Sequence, residues 1–470
     1  MAVDRTTAFA CLAAAVSFGI RGWALSTGEP IGTDGYYYVV QIEDLVAHGA
    51  LHVPDGSWTL RALALPHLLG LDPIPALALA AALLATLPAV VAAAMRRPLL
   101  AILLAASPTL THLAADFPKS LGLAAPWLLA ALALDRVPKD RRWLATVVPA
   151  LVLAASAHRL GAVFAVLGLA GAGTAAALSS DASRAARSVA GTVLAVGLLG
   201  AGLLVAATLV PGFLHPDDLA RVQGLTARLR PAPWSWVGAR PDTSWVQLAE
   251  LMLPWLALAL VPIAWRERPV LTGACTLPLL ACLAPIYPAD VLDLGYRVHL
   301  YSPLFAAPVL AVAAASVRAP TLGGLALGSL LLPAAAWGPA PSTTPPYGLY
   351  RAVLDRIPTP YPELLIAHQG MNFLYDHRTG HEAMAWAPDP GFPPEEVGRV
   401  AHGVLPGEWL RVWREGDPEV VPLGQGYHYV GEVTWRRLLD GAEPGSDLAD
   451  RIGDWRNPAR TRPSYLLRRR

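Results

Sequence analysis

Eleven long runs of apolar residues, almost free of charged side chains, constrain what this chain can fold into. A helix that spans a bilayer needs roughly 20 mostly apolar residues. Only 15% of the residues are charged and the mean hydropathy is +0.43, whereas soluble domains carry about 25% charged residues. The pattern predicts an all-α polytopic membrane protein and excludes a soluble enzyme or a disordered chain. The runs are 7–26, 73–95, 99–112, 120–134, 144–157, 161–178, 189–210, 246–264, 270–286, 300–316 and 321–337.

The basic residues predict the orientation of these helices. With a cytoplasmic N-terminus, the short inner segments hold twelve Arg and Lys residues and the longer outer loops hold eight. This is the positive-inside bias of membrane proteins. We therefore expect a multi-pass protein of the plasma (inner) membrane with its C-terminal domain outside. The inner segments are 1–6, 96–98, 135–143, 179–188, 265–269 and 317–320.

The chain divides into a transmembrane domain, 1–337, and a tail, 338–470. The transmembrane domain has two long outer loops, 27–61 and 211–245. The tail begins with a proline-rich linker and contains strand-like runs such as Leu364–Ala367, which predict a small extracytoplasmic α+β domain. The net charge of +1 gives no reason to expect a nucleic-acid partner, and the three cysteines lie in apolar runs, so neither a disulfide framework nor a zinc site is indicated.

The first outer loop carries the most informative polar pattern. Asp34 precedes Tyr36 and Tyr37, and apolar residues then recur at helical spacing up to Gly49. The pattern predicts a short amphipathic helix on the membrane surface. Asp34 is either a simple N-cap or a functional carboxylate beside tyrosines that stack on sugars. Glu43 and Asp44 lie either on the solvated face of this helix or in a site.

Charged residues also stand at two junctions between apolar runs. Asp116 and Lys119 form the first, and His158 and Arg159 form the second. Charges at such positions are costly unless they are paired or hydrated, so they are candidates for function. The first pair is either a helix-capping ion pair or part of a functional site, and the second pair either snorkels to the interface or binds phosphate.

Aromatic and basic residues precede a late hydrophobic helix. They are Tyr296, Arg297, His299 and Tyr301, followed by a proline. A cation beside an apolar groove suits a lipid phosphate, and an interface anchor is the alternative. The second long loop holds several Trp and Arg residues that suit either an interfacial segment or a lid.

The order of features in the first loop resembles the GT-C superfamily of membrane glycosyltransferases. A first helix is followed by an outer loop that opens with Asp34, then an amphipathic helix ending at Gly49, then Pro54 and Trp58. The resemblance is strongest over residues 30–60. It implies that Asp34 is the catalytic carboxylate, with Asp55 as the second acid and Glu43 behind it. The chain departs from related members in lacking a Glu-Lys-Pro element, because the corresponding region reads Trp58 to Leu63.

The same resemblance implies the partners and the reaction. The donor would be a polyprenyl-phosphate sugar held from the bilayer, and the acceptor a glycan, lipid or protein. Lys119 and Asp116 would serve the donor site, and Arg297 would be the preferred ligand of the lipid phosphate. No cofactor is certain, but some members of the family use a divalent cation such as Mg²⁺ or Mn²⁺.

Three other functions fit parts of the pattern. A transporter or flippase of lipid-linked sugars would carry charges deep inside several helices, whereas here they cluster at the predicted outer edge. A catalytically inert scaffold for envelope glycan assembly is compatible with the missing Glu-Lys-Pro element. A polysaccharide polymerase or ligase usually places its long loop later in the chain. The sequence therefore favours a glycosyltransferase.

Overall fold

A computed structural model gives the fold of most of the chain. It describes residues 5–32, 34–53, 55–179, 191–192, 195–197, 200, 202, 229–231, 245–283, 286–288, 298–316, 346–367, 370–385, 401–406, 420–424 and 427–431. These residues form two compact units. Of the described residues, unit 1 contains 5–32 and 55–316, and unit 2 contains 34–53 and everything from 346 onward.

Unit 1 is built from helices that follow the apolar runs. Several of them begin with proline in the first turn, where the missing amide costs nothing. The helices are α1 (Arg5–Leu25), α3 (Trp58–Leu68), α4 (Pro73–Ala94), α5 (Pro98–Ala105), α6 (Pro108–Asp116), α7 (Pro118–Leu121), α8 (Ala124–Leu134), α9 (Leu144–Ala157), α10 (Arg159–Leu178), α11 (Trp245–Glu267), α12 (Pro269–Cys282) and α13 (Ser302–Ser316). A two-stranded antiparallel sheet pairs β1 (Leu229–Pro231) with β2 (Ile286–Pro288).

Some of these helices suit a membrane by length and composition. Among the described residues, three are long and apolar enough to cross a bilayer: Ala8–Leu25, Pro73–Ala94 and Arg159–Leu178. The run 99–112, predicted as one helix, is instead α5 and α6, which meet at a bend of 52° and together count as a fourth candidate. Helix α3 was not predicted and occupies the end of the first loop. The runs 189–210 and 321–337 lie wholly or largely outside the described residues, so the total of eleven stays a prediction.

Small residues allow close packing of α10 against α12. A side-chain carbon at Gly171 would collide with the carbonyl oxygen of Gly273, and one at Gly273 would collide with the carbonyl oxygen of Gly171. Paired small residues of this kind let helix backbones approach in membranes. A buried aromatic cluster joins α8, α10, α13 and the turn before α13. It consists of Trp127, Phe164, Tyr301 and Phe305.

A fully buried arginine stabilises the bend between α5 and α6. The guanidinium of Arg21, on α1, donates to the carbonyl oxygens of Leu104 (3.1 Å) and Ser107 (3.0 Å), which lie at the break between the two helices. It also donates to the carbonyl oxygen of Ala85 on α4 at 2.7 Å. On the other side of the bend, Glu250 accepts from the backbone amide of Thr109 at 2.8 Å.

Unit 2 is an α+β unit with a five-stranded mixed sheet. The strand order is β4-β3-β5-β7-β6. Strand β3 pairs in parallel with both β4 and β5, and β7 pairs antiparallel with β5 and β6. The elements are α2 (Gly35–His48), α14 (Tyr347–Leu354), β3 (Leu364–Ala367), α15 (Met371–Thr379), β4 (Glu382–Ala385), β5 (Ala401–Pro406), β6 (Val420–Gly424) and β7 (Tyr427–Val430).

Unit 2 differs in extent from the predicted tail, because it includes the helix of the first loop. Helix α2 ends at Gly49, as predicted, and Gly49 adopts a left-handed conformation with φ of 71°. Its tyrosines pack against α14 and α15, with ring centroids 4.7 Å apart for Tyr36 and Tyr347 and 5.3 Å apart for Tyr37 and Phe373. These contacts group α2 with the sheet, whereas the sequence placed it with the membrane helices.

Candidate functional site

Asp34 occupies the N-cap position of α2, but its side chain makes no capping hydrogen bond. The hydroxyl of Tyr347 takes that part instead, because the backbone amides of Gly35 and Tyr36 hydrogen-bond to it. Burial, followed by the charges of Asp34 and Tyr350, raises the pKa of Tyr347. The Asp34 carboxylate is thus close enough to affect the pKa of Tyr347, but the Tyr347 hydroxyl, rather than Asp34, caps the helix.

The tyrosines predicted to contact a sugar are packed within unit 2. Tyr36 is only 3% exposed and contacts Tyr347 and His377. Burial and the nearby Tyr347 raise the pKa of Tyr36 to about 12. Tyr37 is partly buried between Tyr38 and Phe373. Both rings therefore anchor α2, and a sugar contact for them stays a prediction.

The acids farther along α2 are paired with histidines. Glu43 lies 2.9 Å from Nδ1 of His377 on α15. Asp44 lies 2.6 Å from Nδ1 of His52, whose Nε2 is 3.4 Å from Asp376. The sequence allowed a solvated face or a site for these acids, and the structure places them in a polar contact between α2, the segment after it and α15. A catalytic role for Glu43 stays a prediction.

Unit 1 brings Asp55 and Lys119 together in an ion pair. One carboxylate oxygen of Asp55 contacts the ammonium of Lys119, and the other accepts from the backbone amide of Ser57 at 2.7 Å. Ser57 caps α3 through Thr59 and donates to the carbonyl oxygen of Ala157 at 2.5 Å. The start of α3, the start of α7 and the end of α9 are thereby joined at one end of the unit.

Asp116 ends helix α6 in a buried position. Its carboxylate lies 3.2 Å from Nε2 of His112, one turn earlier, and both side chains are almost inaccessible. Gly32 packs directly on it: a side-chain carbon there would lie 2.6 Å from an Asp116 oxygen, and the φ of Gly32 is +90°. Only glycine tolerates both the conformation and the contact, so the chain between α1 and α2 is held against Asp116.

The remaining predicted ligands have different environments. His158 caps α10 by accepting from the amide of Leu160 at 3.2 Å, and Arg159 is exposed. His299 and Tyr301 are buried in unit 1. Tyr296 and Arg297, together with most of the loop 211–245, lie outside the described residues.

Unit 1 also contains an apolar groove, part of whose lining is close in sequence to Asp55 and Lys119. It has a volume of about 310 Å³ and is lined almost entirely by apolar side chains from α3, α4, α7, α8 and α9. Trp58, three residues after Asp55, and Leu121, two residues after Lys119, line it, and it continues to Leu129 and Val91. A charged pair and part of an apolar groove are thus close in sequence, and the binding of an amphipathic molecule requires both kinds of surface.

The described part of the chain offers no ready metal site. No group of three or more His, Cys, Asp or Glu side chains there is arranged to hold an ion. The Asp55 oxygens are engaged by Lys119 and Ser57. A divalent cation such as Mg²⁺ or Mn²⁺ stays a prediction.

Three polar residues of unit 1 were not singled out as site candidates from the sequence. His112 belongs to a run predicted to be a membrane helix, and its pairing with Asp116 follows the i,i+4 spacing that joins neighbours on a helix. Arg21 and Glu250 are charges within or beside apolar runs and are nearly fully buried. The general cost of charge in a membrane is the signal that would have identified all three.

Comparison with known proteins identifies the fold. No family model and no curated protein matches the chain. Among solved structures, ArnT from Cupriavidus metallidurans bound to undecaprenyl phosphate is similar, with a TM-score of 0.58, 14% identity, and coverage of 91% of this chain and 98% of that one. The same protein without ligand has a TM-score of 0.56. The oligosaccharyltransferase of Archaeoglobus fulgidus, tethered to an acceptor peptide, has a TM-score of 0.56 and 12% identity, and covers 86% of this chain and 69% of that one.

These similarities confirm, at the level of fold, the resemblance noted in the sequence. The chain has the fold of these solved glycosyltransferases, and three of its described helices, or four with the bent pair, are long and apolar enough to cross a membrane. Identities of 12–14% show the fold alone, because one fold hosts many activities and function depends on the residues of the site.

Proposed function

We propose that this protein is a membrane glycosyltransferase. It moves a sugar from a polyprenyl-phosphate carrier to an acceptor hydroxyl at the outer face of the plasma membrane, and its C-terminal residues lie on that same side. The ArnT structure with undecaprenyl phosphate supports a lipid-linked donor for this chain by analogy of fold.

One observation carries the proposal. Asp55 and Lys119 form an ion pair, and Trp58 and Leu121, three and two residues farther along the chain, lie in the wall of the apolar groove. A polyprenyl phosphate has the matching chemistry, an anionic head on an apolar chain. The ammonium of Lys119, which is 20% exposed, would contact the phosphate, and Asp55 would orient that ammonium.

The reaction follows from these assignments. The oxygen of the acceptor hydroxyl attacks the anomeric carbon as Asp34 takes its proton. The bond from the anomeric carbon to the phosphate oxygen breaks, and the polyprenyl phosphate leaves with the bonding electrons. Lys119 and Arg297 stabilise the charge that develops on this leaving group. Attack opposite to the leaving group inverts the anomeric configuration.

The test is donor-dependent transfer by the purified full-length chain in nanodiscs. Wild type and Asp34→Asn are each given a panel of radiolabelled polyprenyl-phosphate sugars with a membrane extract as the source of acceptor, and release of polyprenyl phosphate is followed. Loss of a general base costs roughly a hundredfold or more in rate. We expect that loss for Asp34→Asn, with an unchanged melting temperature.

Asp72→Asn is the matched control. Asp72 also stands at the N-cap of a helix, α4, without a side-chain capping bond, and it is exposed. It should transfer sugar at the wild-type rate. Wild-type turnover in a folded Asp34→Asn variant would contradict the role of Asp34. Donor binding without turnover, in wild type as well as in the variant, would favour the alternative functions of a flippase of lipid-linked sugars or an inert scaffold.

A further inference from the structure

A polar cavity of about 380 Å³ lies in unit 1 and is lined by none of the residues assigned above. Three connections meet around it, and all three were predicted from the sequence to be inner segments. They are the link from α4 to α5, the link from α8 to α9 and the link from α11 to α12. The lining residues are Met95, Arg96, Arg97, Asp135, Arg136, Lys139, Asp140, Trp143 and Arg268.

Cations outnumber acids in this lining, and the acids are already engaged. Arg97 and Arg268 both contact the same oxygen of Asp135, at 3.1 Å and 3.0 Å. Asp140 accepts from the backbone amide of Arg142 at 3.0 Å. Five cationic side chains therefore face two carboxylates. Burial, followed by the charge of Arg268, lowers the pKa of Arg97, as expected where positive charges crowd together.

Arg96 stands in a conformation that favours glycine. It follows the C-cap of α4 with a φ of 57°, the left-handed position at which helices usually end in glycine. A side chain there strains the backbone, and such strain often marks a functional position. The Arg96 side chain is exposed and lines the cavity. Within the residues that the structure describes, no carboxylate lies within 4 Å of Arg96 or Lys139.

An aromatic side chain completes the cavity. The guanidinium of Arg136 lies 4.4 Å from the ring centroid of Trp143 and donates to the carbonyl oxygen of Met95 at 2.8 Å. Trp143 immediately precedes α9, on which Leu144 and Val148 are exposed apolar side chains. Tryptophan at the end of an apolar helix is typical of the headgroup level of a bilayer.

We propose that this cavity binds the phosphate group of an anionic phospholipid. Basic cavities between membrane helices suit such headgroups, because cations gather near the phosphate while the acyl chains remain in the bilayer. The exposed Arg96 and Lys139 contact the phosphate. Arg97 and Arg268 stay paired with the buried Asp135. Because a soluble phosphate offers the same oxyanion as a lipid headgroup, the experiment compares a phospholipid with a soluble phosphate compound.

The test measures lipid retention by the delipidated full-length protein with native mass spectrometry. Wild type, Arg96→Gly/Lys139→Gln and Arg141→Gln/Arg142→Gln are titrated with dioleoyl phosphatidylglycerol, and separately with dioleoyl phosphatidylcholine and inorganic pyrophosphate. Arg141 and Arg142 are the control pair. They lie in the α8–α9 connection, as Lys139 does, and are exposed but do not line the cavity. Their replacement removes the same amount of charge.

We expect Arg96→Gly/Lys139→Gln to lose about tenfold in phosphatidylglycerol affinity and the control pair to match wild type. The melting temperature of Arg96→Gly/Lys139→Gln should stay equal or rise, because glycine relieves the left-handed strain. That combination separates binding from a structural role. Equal phosphatidylglycerol retention by all three proteins, or equal losses in both pairs, would overturn the proposal. Tighter binding of pyrophosphate than of phosphatidylglycerol would overturn the lipid source.

Discussion

Lys119 carries an ammonium that is mostly shielded from water and paired with one oxygen of Asp55. Its helix, α7, is a single turn between α6 and α8, and Leu121 on the same turn faces the apolar groove. A lysine in this setting either ties two chain segments together or holds an anion whose tail enters the groove. Kinetics with a lipid-linked donor distinguish the two.

We predict that Lys119→Ala raises the donor KM by roughly ten- to hundredfold. A hydrogen bond to a charged group contributes about 1.5–3 kcal/mol, and each 1.4 kcal/mol is a factor of ten. Lys119→Arg should restore most of the affinity. Steady-state kinetics and melting temperatures are measured for both variants and for Asp55→Asn. If the pair is only a structural tie, both Lys119→Ala and Asp55→Asn will lower the melting temperature and leave the donor KM unchanged.

Asp34 shows where reasoning from single residues stops. The sequence left a choice between an N-cap and a functional carboxylate, since Asp suits both. The hydroxyl that caps α2 comes from Tyr347 in the tail, and no local pattern announces such a distant partner. The position of Asp34 at the start of α2 was predictable from the sequence. That the Tyr347 hydroxyl caps this helix in place of Asp34 was not.

At the scale of elements, α10 and α12 pack closely against each other at Gly171 and Gly273. We predict that Gly171→Ala lowers the melting temperature, because one added carbon meets backbone rather than a movable side chain. Thermal unfolding in detergent measures this.

Gly19→Ala is the control for that substitution. Gly19 lies within helix α1, is exposed, and has no heavy atom within 4 Å of an added carbon. There the change should be neutral or stabilising, because alanine is the better helix former. Equal effects at the two positions would show that α10 and α12 do not depend on this contact.

Helix α2 is tied to α15 by the Glu43–His377 pair. We predict that Glu43→Gln and His377→Asn are non-additive in a double-mutant cycle, with a coupling of about 0.5–1 kcal/mol, the upper range for partly exposed pairs. The comparison is Asp44–His48, 3.9 Å apart with a largely exposed imidazole on His48, which should show almost no coupling. Additive effects at Glu43 and His377 would mean that the aromatic contacts alone hold α2.

Helix ends and breaks were predicted unevenly, for a physical reason. The boundaries of α4, α9 and α13 follow local hydropathy, so the sequence located them within a few residues. At the break between α5 and α6, Arg21 and Glu250 form hydrogen bonds with the backbone from helices that are distant in sequence. Pro108 predicts the start of a helix, but no local pattern reveals which distant residues stabilise the bend.

At the scale of the molecule, unit 2 contains several buried tyrosines whose ionisation is unfavourable. Burial raises the pKa of both Tyr36 and Tyr350 to about 12, and it also raises that of Tyr347 and Tyr375. In the unfolded chain a tyrosine ionises near pH 10. The folded state therefore holds these protons more tightly, and its stability is intact below pH 10 but falls as the pH rises toward 12.

We predict that the free energy of unfolding falls steeply above pH 10. Tyrosinate absorbance and near-ultraviolet circular dichroism measure the ionisation and the unfolding. Each such tyrosine steepens the loss by about 1.4 kcal/mol per pH unit. Tyr36→Phe removes one titrating group and should flatten the slope by that amount. A slope unchanged in this variant would show that Tyr36 ionises at the same pH in both states.

The overall architecture was largely readable from the sequence, since apolar runs form helices and a polar tail with short β-rich runs forms a sheet. The order of the strands and the inclusion of α2 in unit 2 were not readable. Parallel pairing of β3 with β5 joins segments separated by long stretches of chain, and such pairing depends on tertiary packing rather than on local propensity.

Arg21 has a consequence for how the protein is made. Its guanidinium is satisfied by carbonyl oxygens that lie 64 to 86 positions later in the chain. Helix α1 leaves the ribosome before α4, α5 and α6, so it meets the insertion machinery carrying a charge whose acceptors have not yet been translated. Lipid is a poor environment for that charge. Helix α1 therefore completes its insertion only when α4, α5 and α6 arrive beside it.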